Sequence, residues 1–170
     1  MSKPRRTRGD YHPWTTFLYA AEEARQRGDR KVGTDHLLLV LLREPPLAQA
    51  LDTDLESARA MLEALDREAL SATIGTSLDS APAPSYPPDG PPPRPTLRAV
   101  MRQRMRLTPV AKRAMEMSSR DLRRGRAVEP RELLLALLAL ERPDPGAALL
   151  DALGVDRDTA RERLRVGAAA

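Results

Sequence analysis

The 170-residue sequence contains no cysteine, which excludes disulfide bonds and thiolate metal sites. Aromatic residues are scarce as well, with one tryptophan, one phenylalanine and three tyrosines. Leucine and alanine dominate the apolar residues, which favours helices packed on helices over a sheet. No apolar run is long enough to span a membrane, and no apolar segment follows the basic residues 1–10, as it would in a secretory signal. These absences predict an all-helical cytoplasmic protein that does not cross a membrane.

Lysine is also rare, because only three of the 28 basic residues are lysine and the rest are arginine. The net charge of +4 is unevenly distributed: residues 11–70 have a net charge of −4 and residues 94–170 a net charge of +7. A basic half can bind nucleic acid or another polyanion, or it can be an ordinary arginine-rich surface. The basic segment at residues 94–106 lacks interleaved aromatic residues on which bases could stack, so nucleic-acid binding is not favoured.

The middle of the chain is rich in proline. Eight of the sixteen prolines lie between Pro82 and Pro95, and proline removes backbone donors and fixes φ. We therefore expect residues 71–106 to form a proline-rich linker followed by a basic segment. Residues 1–10 are expected to be a flexible basic tail.

The two flanking regions repeat each other. The sequence VGTDHLLLVLL at Val32–Leu42 aligns with VEPRELLLALL at Val128–Leu138, and ALDTDLESARAML at Ala50–Leu62 aligns with ALGVDRDTARERL at Ala152–Leu164. Self-similarity of this kind indicates one supersecondary unit present twice. We predict two repeats, at residues 11–70 and 107–167, that bury each other's apolar faces in one pseudo-twofold domain.

Each repeat is predicted to contain four helices. The first helix has apolar residues spaced three or four apart and stops at a glycine, Gly28 or Gly125. The second, at Leu37–Leu42 or Leu133–Leu138, is apolar on all sides and should be buried. A short third helix follows, and the fourth begins after Asp54 or Asp156 as N-cap. The fold class is therefore all-α, with eight helices in two sets of four.

These motifs resemble the repeat of the Clp ATPase N-terminal domain. The family pattern E-A-R-x-x-G-H-x-x-[VI]-G-T-E-H-[IL]-L-L-x-L-[IL]-R-E is similar to the stretch Glu22–Glu44, and T-P-x-A-K-x-x-x-E-x-S is similar to Leu107–Ser118. The resemblance implies a domain that receives unfolded or tagged substrates, docks adaptors and, in one branch of the family, binds phosphorylated arginine. No G-x-x-x-x-G-K-[ST] motif occurs, so the nucleotide machinery of the family is not expected here.

The candidate ligand site in the first repeat is the stretch Val32, Gly33, Thr34, Asp35 and His36. Thr34 is predicted to be the N-cap of the buried second helix, and backbone N–H groups at a helix start attract anions. Asp35 can hold a guanidinium by paired hydrogen bonds, and the family has glutamate at this position. Together these groups suit phosphoarginine. The alternative is structural: Thr34 caps, Asp35 complements the helix dipole and His36 fills a shallow surface position.

The second repeat departs from this pattern at Pro130, Arg131 and Glu132. Proline removes a backbone donor that a phosphate could use, and Arg131 would repel a guanidinium. Arg131 and Glu132 are therefore the candidate residues of a second site that is either inactive or prefers a plain anion.

We find no catalytic constellation in the sequence. There are two histidines, with no H-E-x-x-H, G-x-S-x-G or glycine-rich phosphate loop, and the acid pair Glu22 and Glu23 resembles ordinary surface charge patterning. We expect neither an enzyme nor a cofactor or metal. The predicted partners are a Clp ATPase, its substrates or adaptors, or phosphoarginine-containing proteins, in an adaptor, competitor or decoy role.

Overall fold

The computed structural model describes residues 13–74, 105–118 and 129–166. Within these ranges the chain forms eight helices, which confirms the predicted all-α, pseudo-twofold fold. The first four are α1 (Pro13–Gln26), α2 (Thr34–Leu41), α3 (Pro45–Leu51) and α4 (Leu55–Ile74). The second four are α5 (Pro109–Ser118), α6 (Pro130–Leu138), α7 (Pro145–Ala152) and α8 (Arg157–Val166). The predicted tail at residues 1–10, the proline-rich segment with most of the basic segment, and Gly125 lie outside the described residues.

The helix ends follow local chemistry that the sequence predicted. Gly28 ends α1 with a φ of +78°, a conformation that glycine adopts without steric cost. Asp54 caps α4 by accepting a hydrogen bond from the Ser57 amide at 2.8 Å, and Asp156 caps α8 by accepting from the Thr159 amide at 3.0 Å. One boundary differs, because α4 continues to Ile74 and so extends into the segment that we expected to be linker.

The core is built around the two leucine-rich helices. Every residue of α2 is buried, and Leu133, Leu134, Leu137 and Leu138 of α6 are each no more than 1 % exposed. Helix α2 packs on α1, α6 and α7, while α6 packs on α5, α7 and α8. The prediction that the apolar helices form the core is therefore confirmed.

The two repeats contact each other extensively. Helix α2 of the first repeat packs on α7 of the second, α3 packs on α8, and α4 packs on α7. Arg163 on α8 also donates to the carbonyl oxygens of Gln49 and Ala50 at the end of α3, at 3.4 Å each. Because each repeat covers apolar residues of the other, the described parts of both form one packed unit.

A short parallel strand pair, which the sequence did not suggest, also joins the repeats. Strand β1 (Lys31–Val32) pairs with β2 (Arg106–Leu107), with Lys31 opposite Arg106 and Val32 opposite Leu107. The Thr108 amide extends the pairing by donating to the Val32 carbonyl at 2.9 Å. This pair fixes the start of α2 beside the start of α5.

The interpretation of Glu22 and Glu23 as one surface acid pair is wrong for Glu23. Glu22 does pair with Arg25 near the surface, but Glu23 is 1 % exposed. Its Oε1 atom accepts hydrogen bonds from Arg43 and from Arg59, the latter at 2.6 Å. A buried carboxylate needs such partners because burying an uncompensated charge is costly. Glu23 therefore connects α1 to the end of α2 and to α4.

Candidate functional site

The predicted ligand residues of the first repeat lie at the turn from β1 into α2. Gly33 is the N-cap, with extended backbone at φ −92° and ψ −180°, and Thr34 is the first helical residue. The prediction that Thr34 caps α2 is therefore wrong. The side chain of His36 supplies the capping contact instead, because its Nδ1 atom accepts a hydrogen bond from the Gly33 amide at 3.0 Å.

The Thr34 hydroxyl forms hydrogen bonds to residues of the second repeat. It donates to Asp144 Oδ1 at 2.7 Å and accepts from the Gly146 amide at 3.0 Å. Asp144 is the N-cap of α7, where its Oδ1 atom also accepts from the amides of Gly146 and Ala147. A Cβ atom on Gly146 would lie 2.9 Å from the Thr34 hydroxyl oxygen. The close approach of α2 to α7 therefore requires glycine at this position.

We expect Thr34→Val to lower the free energy of unfolding by about 1–2 kcal/mol, because it removes two hydrogen bonds at a buried contact. Gly146 retains its bond to Asp144, which limits the loss. Thr34→Ser keeps the hydroxyl and is the matched control, with a smaller effect. Chemical denaturation of the three proteins measures the difference, and equal stability of the valine and wild-type proteins would contradict this role for Thr34.

Asp35 and His36 form a partly covered polar cluster beside this contact. The Asp35 side chain is 10 % exposed and its Oδ1 atom lies 3.2 Å from His36 Nδ1. On the other side of the ring, His36 Nε2 lies 3.1 Å from Asp29 Oδ2. Asp29 is also 3.5 Å from Arg27 Nε, and Arg27 is ion-paired with Asp66 on α4. His36 is 3 % exposed, so the prediction of a shallow surface position is wrong for this residue.

The pKa of Asp35 is lowered from its ordinary value. Burial acts in the raising direction, but hydrogen bonding to His36, including its backbone amide, and the charge of Arg27 outweigh it. The carboxyl is thus held as the carboxylate at neutral pH. Val32, by contrast, is fully buried in the core, and of the five predicted residues Asp35 is the one with a carboxylate, and its side chain is 10 % exposed.

This lowered pKa predicts a pH dependence of stability. A carboxyl whose pKa is lower in the folded than in the unfolded protein stabilises the fold fully above its unfolded value, here 3.8, and loses this contribution as the pH falls through its folded value. We expect the stability difference between wild type and Asp35→Asn to shrink as the pH falls below about 5. Denaturant titrations at several pH values measure this difference, and one that grows on acidification would contradict the prediction.

The matching residues of the second repeat are arranged differently. Glu129 is the N-cap of α6 without a side-chain hydrogen bond, and Pro130 is its first residue. The Nη2 atom of Arg131 lies 3.3 Å from Glu132 Oε1 and 3.6 Å from Glu129 Oε2. Arg131 is therefore compensated by acids of its own helix turn, and among the described residues no hydrogen bond or ion pair joins Arg131 or Glu132 to Asp35 or His36.

Most described cations of the basic second half are engaged locally. Ion pairs hold Lys112, Arg131, Arg142, Arg157, Arg161 and Arg165. Arg163 binds carbonyl oxygens of α3 instead. The described cations of this half therefore do not form a continuous basic face.

An open groove of about 690 Å³ lies at the opposite end of α2. It is lined by Leu42, Arg43, Pro45, Ala48, Asp54, Leu55, Glu56 and Arg59. None of the predicted ligand residues contributes to it. The arginines in its wall are those that bind Glu23, so this surface is rigidly connected to the core of the first repeat.

Some residues around the site could not be assigned from the sequence. Asp144 precedes Pro145 and Gly146, a pattern typical of a helix start, yet nothing local indicates that it binds Thr34. Neither Asp29 nor Arg27 could be identified from the sequence as a neighbour of His36. Within the described ranges, no group of three His, Cys, Asp or Glu residues is placed to hold a metal ion, and none of the described helices is long and apolar enough to cross a membrane.

Comparison with known proteins adds two findings. A family model described as the Clp repeat (R) N-terminal domain matches residues 12–108, which includes the whole first repeat and the start of the second. The chain is also similar in structure to the N-terminal domain of the caseinolytic protease associated chaperone ClpD from Arabidopsis thaliana, with a TM-score of 0.56 and 18 % identity over 99 % of this chain and 100 % of that one. At this identity the likeness concerns the fold alone. No curated protein is significantly similar to the chain.

Proposed function

Because the chain belongs to the Clp repeat N-terminal domain family, we propose that it is a protein- and peptide-binding module of Clp-dependent proteolysis and has no catalytic activity. Its partners are a Clp ATPase or that enzyme's substrates and adaptors, and it acts in the cytoplasm as an adaptor, competitor or decoy. The observation that carries this proposal is the Asp35 carboxylate, which lies at the N-terminus of a buried helix with 10 % of its side chain exposed.

The ligand that this arrangement fits best is phosphorylated arginine or a group that likewise combines a guanidinium with an anion. Asp35 pairs with the guanidinium through charge-assisted hydrogen bonds. The first-turn N–H groups of α2 and the positive end of its dipole attract the anion. Thr34 positions this turn through Asp144 instead of contacting the ligand, and His36 orients Asp35.

The second repeat binds this ligand weakly or not at all. Pro130 supplies no amide to an anion, and Arg131 repels a guanidinium while its own charge is compensated by Glu129 and Glu132. The functional asymmetry follows from side chains at equivalent positions of two otherwise similar helices.

Polyanion binding through the basic second half is the other candidate function, and it has less support. The described cations there are mostly engaged with acids or carbonyl oxygens, so the described residues offer no continuous basic surface of the kind that a long polyanion would need.

Affinity capture with the full chain tests the proposal. Immobilised wild type and Arg131→Gln should both recover a Clp ATPase, its protease partner or their adaptors from a lysate of the source cells, whereas Asp35→Asn should recover less. Arg131→Gln is the matched control because it changes one charge at the equivalent helix start. Recovery of nucleic acid in place of these proteins, with all three baits, would contradict the proposal and favour the polyanion function.

A further inference from the structure

The pairing of β1 with β2 places two like charges side by side. Lys31 and Arg106 are register partners in this parallel pair, so their Cα atoms are about 4.8 Å apart. Val32 is buried and Leu107 packs against the core, and side chains alternate along a strand. Lys31 and Arg106 therefore share the outer face, where both are exposed, and the adjacent Arg30 is exposed as well.

These three cations differ from most others in the described part of the chain. Arg30, Lys31 and Arg106 form no ion pair with any described acid, whereas most of the described arginines are paired. The nearest acid in sequence, Asp29, is engaged by His36 and Arg27. Like charges directly opposite each other destabilise a strand pair, so an external anion would relieve a repulsion that the fold leaves in place.

The sequence that leads into β2 is also basic. Residues 94–104, which lead into β2, contain four arginines and no acidic residue. Strand pairing thus brings the dipeptide Arg30–Lys31 beside Arg106, shortly after this arginine-rich stretch, although 74 intervening positions separate Lys31 from Arg106.

We propose that the basic edge, defined as Arg30, Lys31 and Arg106, docks a short acidic segment of a protein partner. Arginine and lysine bind carboxylates through charge-assisted hydrogen bonds, and a compact edge of three cations matches a few consecutive acidic side chains. Nucleic acid fits less well, because its binding typically uses about six to ten phosphate contacts and stacking on aromatic side chains. Phe17 is buried and Tyr19 lies under Arg43, so neither of these aromatic rings is available for stacking at the basic edge.

Fluorescence anisotropy with the full chain and a labelled peptide bearing a run of glutamates tests this proposal. At roughly 50 mM salt, where exposed charges are weakly screened, Lys31→Glu and Arg106→Glu should each weaken binding about tenfold, since reversal replaces an attraction by a repulsion. Arg165→Glu is the matched control, because Arg165 is 71 % exposed on α8, which packs on α3 and α6. The double variant Lys31→Gln/Arg106→Gln tests the same edge without new negative charge.

Four results test whether the basic edge docks an acidic segment. Weak binding of the matching glutamine peptide and a loss confined to the edge variants would support the proposal. An equal loss in Arg165→Glu would overturn it in favour of diffuse net charge. Tighter binding of a single-stranded DNA, with the same sensitivity to the edge variants, would overturn the choice of an acidic protein segment. Asp35→Asn should not weaken binding of the glutamate peptide, so failure at this edge is distinguishable from failure of the phosphoarginine site.

Discussion

Truncation of Leu38 or Leu134 to alanine is expected to lower the free energy of unfolding by about 2–5 kcal/mol. Both side chains are fully buried on the two helices that pack against each other at the centre of the domain. Removing three carbons there leaves a cavity, because neighbours held by two repeats relax only partly. The same range applies to Leu41 and Leu137, each 1 % exposed.

Chemical denaturation measures this effect, with Leu70→Ala as the matched control. Leu70 is 52 % exposed on α4, so its truncation should change stability by no more than about 0.5 kcal/mol. If two of the four core variants were as stable as the Leu70 variant, the central placement of α2 and α6 would be wrong.

Removing both arginines that bind Glu23 is the second change with a large expected effect. Arg43→Ala/Arg59→Ala leaves a carboxylate that is 1 % exposed without the two guanidiniums that compensate it in the native protein. Loss of the partners of a buried charge costs about 3–5 kcal/mol. Each single variant should cost less than half of this, because the other arginine still binds Oε1.

A third substitution separates charge from packing in this cluster. Adding Glu23→Gln to the double variant removes the uncompensated charge and should restore about 1–3 kcal/mol. Arg142→Ala/Arg165→Ala removes two arginines whose side chains are 64 % and 71 % exposed and should cost less than about 1 kcal/mol in total. A double Arg43/Arg59 variant that Glu23→Gln destabilises further would show that packing, not charge, holds these helices together.

The sequence predicted the helices well because their signals are local. Unbroken runs of leucine in α2 and α6 allow no exposed face, and Asp54 and Asp156 cap α4 and α8 through amides three residues away. The family resemblance then assigned the arrangement of these helices, which periodicity alone does not specify.

The features that the sequence did not predict depend on distant residues. Thr34 and its partner Asp144 are separated by 110 positions, so a threonine at a helix start was interpreted by its most common local role. Two-residue strands such as β1 are too short to show alternation. Glu23 was misinterpreted because its two arginines come from other parts of the chain, while local charge spacing is the same for a buried and an exposed acid.

The candidate site combines both kinds of information. Asp35 was identified from its position in a motif, and in the structure its carboxylate lies 3.2 Å from the Nδ1 atom of His36, its neighbour in sequence, with 10 % of its side chain exposed. The hydrogen bonds of Thr34 to the start of α7 could be recognised only from the structure, in which the two repeats pack together. We therefore propose ligand contact for Asp35 and a positioning role for Thr34.

The most direct test of the one-sided ligand site is an NMR titration of the full chain with free phosphoarginine. Loss of one charge-assisted hydrogen bond costs roughly 1.5–3 kcal/mol, so the second repeat should bind at least about tenfold more weakly than the first. The account predicts amide shifts confined to the residues around Val32–Leu38, and their loss in Asp35→Asn. Equal shifts at the starts of α2 and α6, or no shifts in either at millimolar phosphoarginine, would contradict it.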